Sequence, residues 1–163
     1  MAGPLWLRVS LAALMIVIAV GYAVRLCLGR GGSADGVHGA MGVAMAGMLV
    51  PGISVLPAGV WEAGFALSAG WFGWLTIRRA SADSPVPHLI ECVAMVYMLA
   101  AAAGGVGPPA IAVLLALCMV GAVVWRADGL LRTDPATGMT PRLTVASKIA
   151  MSATMGYMLF LMV

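Results

Sequence analysis

A twelve-residue stretch occurs three times in this chain, and an internal repeat constrains a fold more tightly than composition does. The copies are HGAMGVAMAGML (His38 to Leu49), HLIECVAMVYML (His88 to Leu99) and KIAMSATMGYML (Lys148 to Leu159). Laid together without a gap, they share a polar head (His38, His88, Lys148) and a second position of Met41, Glu91 and Met151. Two methionine rows follow, Met45/Met95/Met155 and Met48/Met98/Met158, and then Leu49/Leu99/Leu159. Offsets of three, seven and ten residues fall within roughly 80° on a helix, so each copy presents one stripe on one face. Eight of the thirteen methionines belong to these stripes, which makes methionine the residue type to explain.

With 63% hydrophobic and 9% charged residues, the chain cannot form an ordinary charged, water-facing surface. Runs of about 18 or more mostly apolar residues read as membrane spans. Six are expected: Leu5 to Leu28, Gly36 to Leu56, Gly59 to Ile77, His88 to Gly104, Pro109 to Trp125, and Thr144 to Val163. The fold expected is therefore all-α, a polytopic helical membrane protein with residues 1–163 as one integral membrane domain.

The charges order these spans. Apart from Arg8, every Arg and Lys sits in or beside the loops after the first, third and fifth spans, while LPAG and GGVGPP carry no charge. The positive-inside rule then places the three basic loops in the cytoplasm and both termini outside, in the plasma membrane. Arg25 and Arg30 follow the first apolar run, the reverse of a cleaved signal peptide, so that helix is expected to be retained. The net charge of +3 is a topology signal; no basic aromatic patch suggests nucleic acid.

The repeating unit is a helical hairpin, at about 5–56, 59–104 and 109–163. Tyr22, Trp74 and Trp125 near the odd-helix ends read as interfacial anchors. Gly39, Gly42, Gly64, Gly70 and Gly73 read as sites of close helix approach, and Pro51 as a kink in the second span. Three alike hairpins pack most simply in a pseudo-threefold arrangement. The even-helix stripes would then stack as layers: Met48/Met98/Met158 outermost, then Met45/Met95/Met155, Met41/Glu91/Met151 and His38/His88/Lys148.

Thioether, thiolate and imidazole are the soft ligands that select Cu(I). The expected metal set is His38, Met41, Met45, Met48, His88, Cys92, Met95, Met98, Met151, Met155 and Met158. In their M-x3-M spacing, Met41/Met45 and Met151/Met155 resemble the selectivity segment of Ctr-type copper transporters, which implies Cu(I) handling. Glu91 breaks that pattern, and those transporters assemble three separate subunits. Against this stands simple packing, because methionine is a flexible apolar filler. Glu91 is expected to pair with Lys148, since an unpaired charge at depth costs about 2.5–3.5 kcal/mol on insertion scales. The cysteines Cys27, Cys92 and Cys118 have no disulfide-framework spacing.

No nucleophile motif, zinc-protease motif, phosphate loop or paired carboxylate is present, so an enzyme is not expected. In hairpin layout, and in the H-x2-M-x3-M-x2-M-L and A-M-x-Y-M-L segments, the chain resembles an actinobacterial family of polytopic membrane proteins known only as a domain of unknown function. That resemblance implies a plasma-membrane location and supplies no ligand or activity. Two functions follow as expectations. One is Cu(I) binding or transport through the Met/His stripes. The other is a structural or accessory subunit whose stripes only pack, with lipid and other membrane subunits as partners.

Overall fold

A computed structural model describes residues 4–29, 32–50, 52–53, 55–78, 85–105, 107–132 and 139–163. Among these the regular elements are helices: α1 Leu5–Cys27, α2 Ser33–Leu49, α3 Ala58–Arg78, α4 Val86–Ala102, α5 Pro109–Arg132 and α6 Met139–Phe160. The chain divides into two compact units, Met1–Val106 with α1 to α4, and Gly107–Val163 with α5 and α6. Successive helices pack as hairpins, α1 on α2, α3 on α4 and α5 on α6.

The helix ends follow from local chemistry. Pro4 precedes α1, and its carbonyl accepts bonds from the Leu7 and Arg8 amides. Gly29 (φ 65°) and Gly104 (φ 92°) take the left-handed turn after α1 and α4, which costs a glycine little. α2 stops at Leu49, and Val50 is extended, as expected of a residue ahead of a proline. The expected kink within a longer second span is therefore a helix end; Pro51 itself lies outside the described residues. α5 runs on past Trp125 to Arg132, where Arg132 pairs with Asp128 one turn back at 2.9 Å.

Among the described residues three helices, not six, are long and apolar enough to cross a membrane: α1, α5 and Arg142–Phe160 of α6. α2 and α4 have 17 residues each, about 25 Å at 1.5 Å per residue, short of a hydrocarbon core about 30 Å thick. α3 has the length, but Gly, Ser, Trp and Glu62 dilute its hydropathy.

Burial separates the two kinds of helix. The even helices bury matching positions at offsets of 50 and 110: Met41/Glu91/Met151, Gly42/Cys92/Ser152, Ala44/Ala94/Thr154, Met45/Met95/Met155 and Leu49/Leu99/Leu159. The odd helices bury little and expose large apolar side chains, such as Val17 and Val20 on α1, Leu67 and Ile77 on α3, and Leu117 and Val124 on α5.

Close approach is confined to particular glycines. A Cβ on Gly42 would meet the Met15 carbonyl at 2.9 Å and the Ala19 Cβ at 3.1 Å. One on Gly39 would meet the Tyr22 Cβ at 3.5 Å. Gly64 and Gly70, expected in the same role, have nothing within 4 Å, and Gly73 has only a Leu89 methyl at 3.9 Å. In α1–α2 such a Cβ would meet backbone, at the Met15 carbonyl, and in α5–α6 one on Gly156 would meet the Met119 Cβ at 3.4 Å.

Candidate metal centre

His38 enters from the second turn of α2, and His88 and Glu91 from the start of α4. Within this four-helix unit, one potential ligand atom from each lies within 4.8 Å of the other two. The Glu91 carboxylate oxygen Oε2 sits 3.3 Å from His38 Nε2 and 3.4 Å from His88 Nδ1. His38 and Glu91 are buried, their side chains 2% and 3% exposed, and His88 is half-buried at 18%.

The proton positions on His38 follow from its partners. Its Nδ1 lies 2.6 Å from the Ala34 carbonyl oxygen, which can only accept, so Nδ1 carries the hydrogen. In the neutral ring Nε2 then presents a lone pair. That atom is buried and makes no hydrogen bond, although it faces the carboxylate. A lone pair facing a carboxylate oxygen needs positive charge between them, either a proton or a metal ion. Holding one imidazole nitrogen by a backbone carbonyl while the other is aimed inward is also how metal-binding histidines are oriented.

Aromatic rings brace both histidines. Tyr22 of α1 stacks on His38, with centroids 5.3 Å apart and planes at 20°. Phe72 of α3 lies against His88 at 5.3 Å. The two imidazoles meet edge to face at 4.9 Å. Tyr22 and Phe72 are separated by the same 50 positions as His38 and His88, so the two hairpins repeat the whole aromatic–histidine contact. Residues 30–162 match the family described as Domain of unknown function (DUF5134).

The chain belongs to the DUF5134 family. The match takes in all of α2 to α6, and with them His38, His88 and Glu91. Among the curated proteins and among the solved structures, nothing matches the chain. Membership in DUF5134 brings no activity with it, so chemistry has to be argued from the residues.

The remaining expected site residues are placed as follows. In the first unit Met41, Met45, Cys92, Met95 and Met98 are buried, and Cys92 is not among the three residues whose ligand atoms cluster. Met48 is half-buried and borders a cavity of about 220 Å³ with Trp61 and Leu99. In the second unit Met151, Met155 and Met158 are buried. Lys148 is half-buried there, and its carbonyl accepts from Arg126 Nη1 at 3.4 Å. Arg126 Nη1 also donates to the buried Ser152 hydroxyl.

Sequence reasoning underused four side chains. Glu91 joins both histidines, a contact that a Lys148 partnership alone does not include. Tyr22 is buried against His38 instead of anchoring at an interface, because it lies on the face of α1 turned to α2. Its counterpart is Phe72, whereas Trp74 is exposed beneath the Arg78 guanidinium at 4.7 Å. The 50-residue offset was the signal that could have found Phe72. Arg8, the one cation outside the basic loops, donates from Nε to the Leu49 carbonyl at 2.9 Å. It thereby satisfies a free carbonyl at the negative end of the α2 dipole.

Proposed function

We propose that this protein is a six-span plasma-membrane protein, both termini outside, that binds or moves a transition-metal cation through the His38–His88–Glu91 centre. The observation that carries the reading is the buried His38 Nε2, without a hydrogen bond and aimed at a buried carboxylate within a three-residue cluster. Leaving a buried polar atom unsatisfied costs roughly 1–3 kcal/mol, which a bound cation would offset. Membrane residence is supported by three long apolar helices and by exposed Val, Leu and Ile on α1, α3 and α5. The shorter α2 and α4 would span within a bundle that lets the bilayer thin locally or flanking residues snorkel.

Copper handling by the stripes is a second reading. Its support is that seven of the eight stripe methionines are buried, where thioethers would be kept from water. The same burial serves an accessory subunit equally well, with the exposed odd-helix faces as its contacts.

Two measurements test the proposal. Metal analysis of the purified protein, after loading and desalting, should find about one equivalent of metal retained, and none in His38→Gln/His88→Gln. In cells, a membrane-impermeant thiol reagent should label Val55→Cys and spare Leu28→Cys, both in a Cys27→Ala/Cys118→Ala background. Failure to retain any metal removes the binding reading, and the opposite labelling pattern removes the topology.

A further inference from the structure

Resting on that reading, we propose that the centre is a three-donor His₂Glu site for a borderline divalent cation of the Zn²⁺ class, with a coordination position left open. Cu(I) is not its metal. The donor chemistry is the first reason. Two imidazole nitrogens and one carboxylate oxygen suit Zn²⁺ and its first-row neighbours, whereas Cu(I), which also takes imidazole, is selected by soft thioether and thiolate donors and not by a hard carboxylate. Mg²⁺ and Ca²⁺ are disfavoured for the converse reason, because they ask for a shell of oxygens and this cluster offers nitrogen twice.

Spacing is the second reason. Two ligand atoms bound to one tetrahedral zinc ion, with bonds of about 2.0–2.1 Å, stand about 3.3–3.4 Å apart. The two edges that meet at Glu91 Oε2 are 3.3 Å and 3.4 Å. Two of the three edges thus already stand at the ligand spacing of zinc, and the third lies within 4.8 Å. Both edges share Glu91 Oε2, so the carboxylate is the hinge of the set and the histidines flank it.

Orientation is the third. His38 is held by its bond to the Ala34 carbonyl and by the Tyr22 ring, and His88 by the Phe72 ring. Three clustered donors satisfy three corners of a tetrahedron. The fourth remains for water or an exchangeable anion, the pattern of sites that act on or pass a ligand rather than merely brace a fold.

The test uses the full-length protein in detergent or nanodiscs, with Zn²⁺, Co²⁺ and Cu(I) each added alone. The inference expects one equivalent of Co²⁺ to bind with the intense visible bands of a four- or five-coordinate ion and no sulfur-to-metal charge-transfer band. X-ray absorption of the Zn²⁺-loaded protein should fit nitrogen and oxygen at about 2.0–2.1 Å, with no sulfur shell near 2.3 Å. Glu91→Gln should weaken Zn²⁺ binding by more than the roughly 100-fold upper end seen for outlying partners of a metal ligand. The spectra of the unaltered protein stand even if that variant does not fold. A sulfur shell, or the weak bands of six-coordinate Co²⁺, would overturn the inference. So would retention of Cu(I) alone, lost on Met45→Leu/Met95→Leu, although metal binding as such would survive. Retention of none of the three ions would overturn both.

Discussion

The heads of the repeat in the first unit and in the second invite comparison. In α2, α4 and α6 the buried positions run in parallel down each helix, with Met45, Met95 and Met155 all fully buried. At the head they part. The first unit brings His38, His88 and Glu91 together, while the second has Lys148 and Met151 at those positions, with Arg126 on Ser152 and on the Lys148 carbonyl. Packing positions are therefore held across the repeat while the polar head varies. A methionine stripe is what all three copies need in order to bury a face. Imidazole with carboxylate is what only two of them combine to make.

The largest effect should come from making the second copy resemble the third. Glu91→Met installs the residue found at Met41 and Met151, and removes the only anionic donor of the cluster. Zn²⁺ affinity should fall more than about 100-fold by competition with a chromophoric chelator. Retained affinity would mean the heads do not differ in metal chemistry.

Next in size is the close approach in the first hairpin. Gly42→Val puts side-chain atoms against the Met15 carbonyl and the Ala19 methyl, where even a Cβ has no room. Overpacking of this kind typically costs about 1–3 kcal/mol, read as a lower unfolding midpoint in detergent. Gly70→Ala, at an exposed position with open space, should instead stabilise by about 0.4–1 kcal/mol. The same sign for both would break the distinction between the glycines.

Smaller still is the exchange of one stripe layer. Met45→Leu, Met95→Leu and Met155→Leu nearly conserve volume, and each should cost less than about 1.5 kcal/mol. Zn²⁺ binding should not change, since the proposed donors are His38, His88 and Glu91. A fall in Zn²⁺ affinity would tie stripe and head together.

Much of the fold was legible because helical periodicity survives in a single sequence. The stripe at offsets of three, seven and ten marked the buried face of α2, α4 and α6, and the alternation of charged and uncharged loops marked three hairpins. Helix ends were less legible, since α5 runs on past its apolar run to Arg132 and α2 ends just ahead of Pro51. Span length was less legible too: among the described residues three helices reach the length and hydropathy of a span, and α2 and α4, at 17 residues, are shorter than a bilayer core. The centre was half legible. The shared histidine position singled out His38 and His88, yet Glu91 was read as a partner for Lys148.

By itself, then, the sequence determined the helices, their pairing into hairpins and the face each even helix buries, because period and turn chemistry act within a few residues along the chain. It also determined family membership, which residues 30–162 carry. Only the tertiary structure decided that Glu91 Oε2 stands between two imidazoles, that Tyr22 and Phe72 brace them, and that Arg8 reaches the end of α2. These contacts depend on how far one helix is rotated and slid against the next. That choice is made by packing, at Gly42 against Met15 above all, and periodicity along one helix leaves it open.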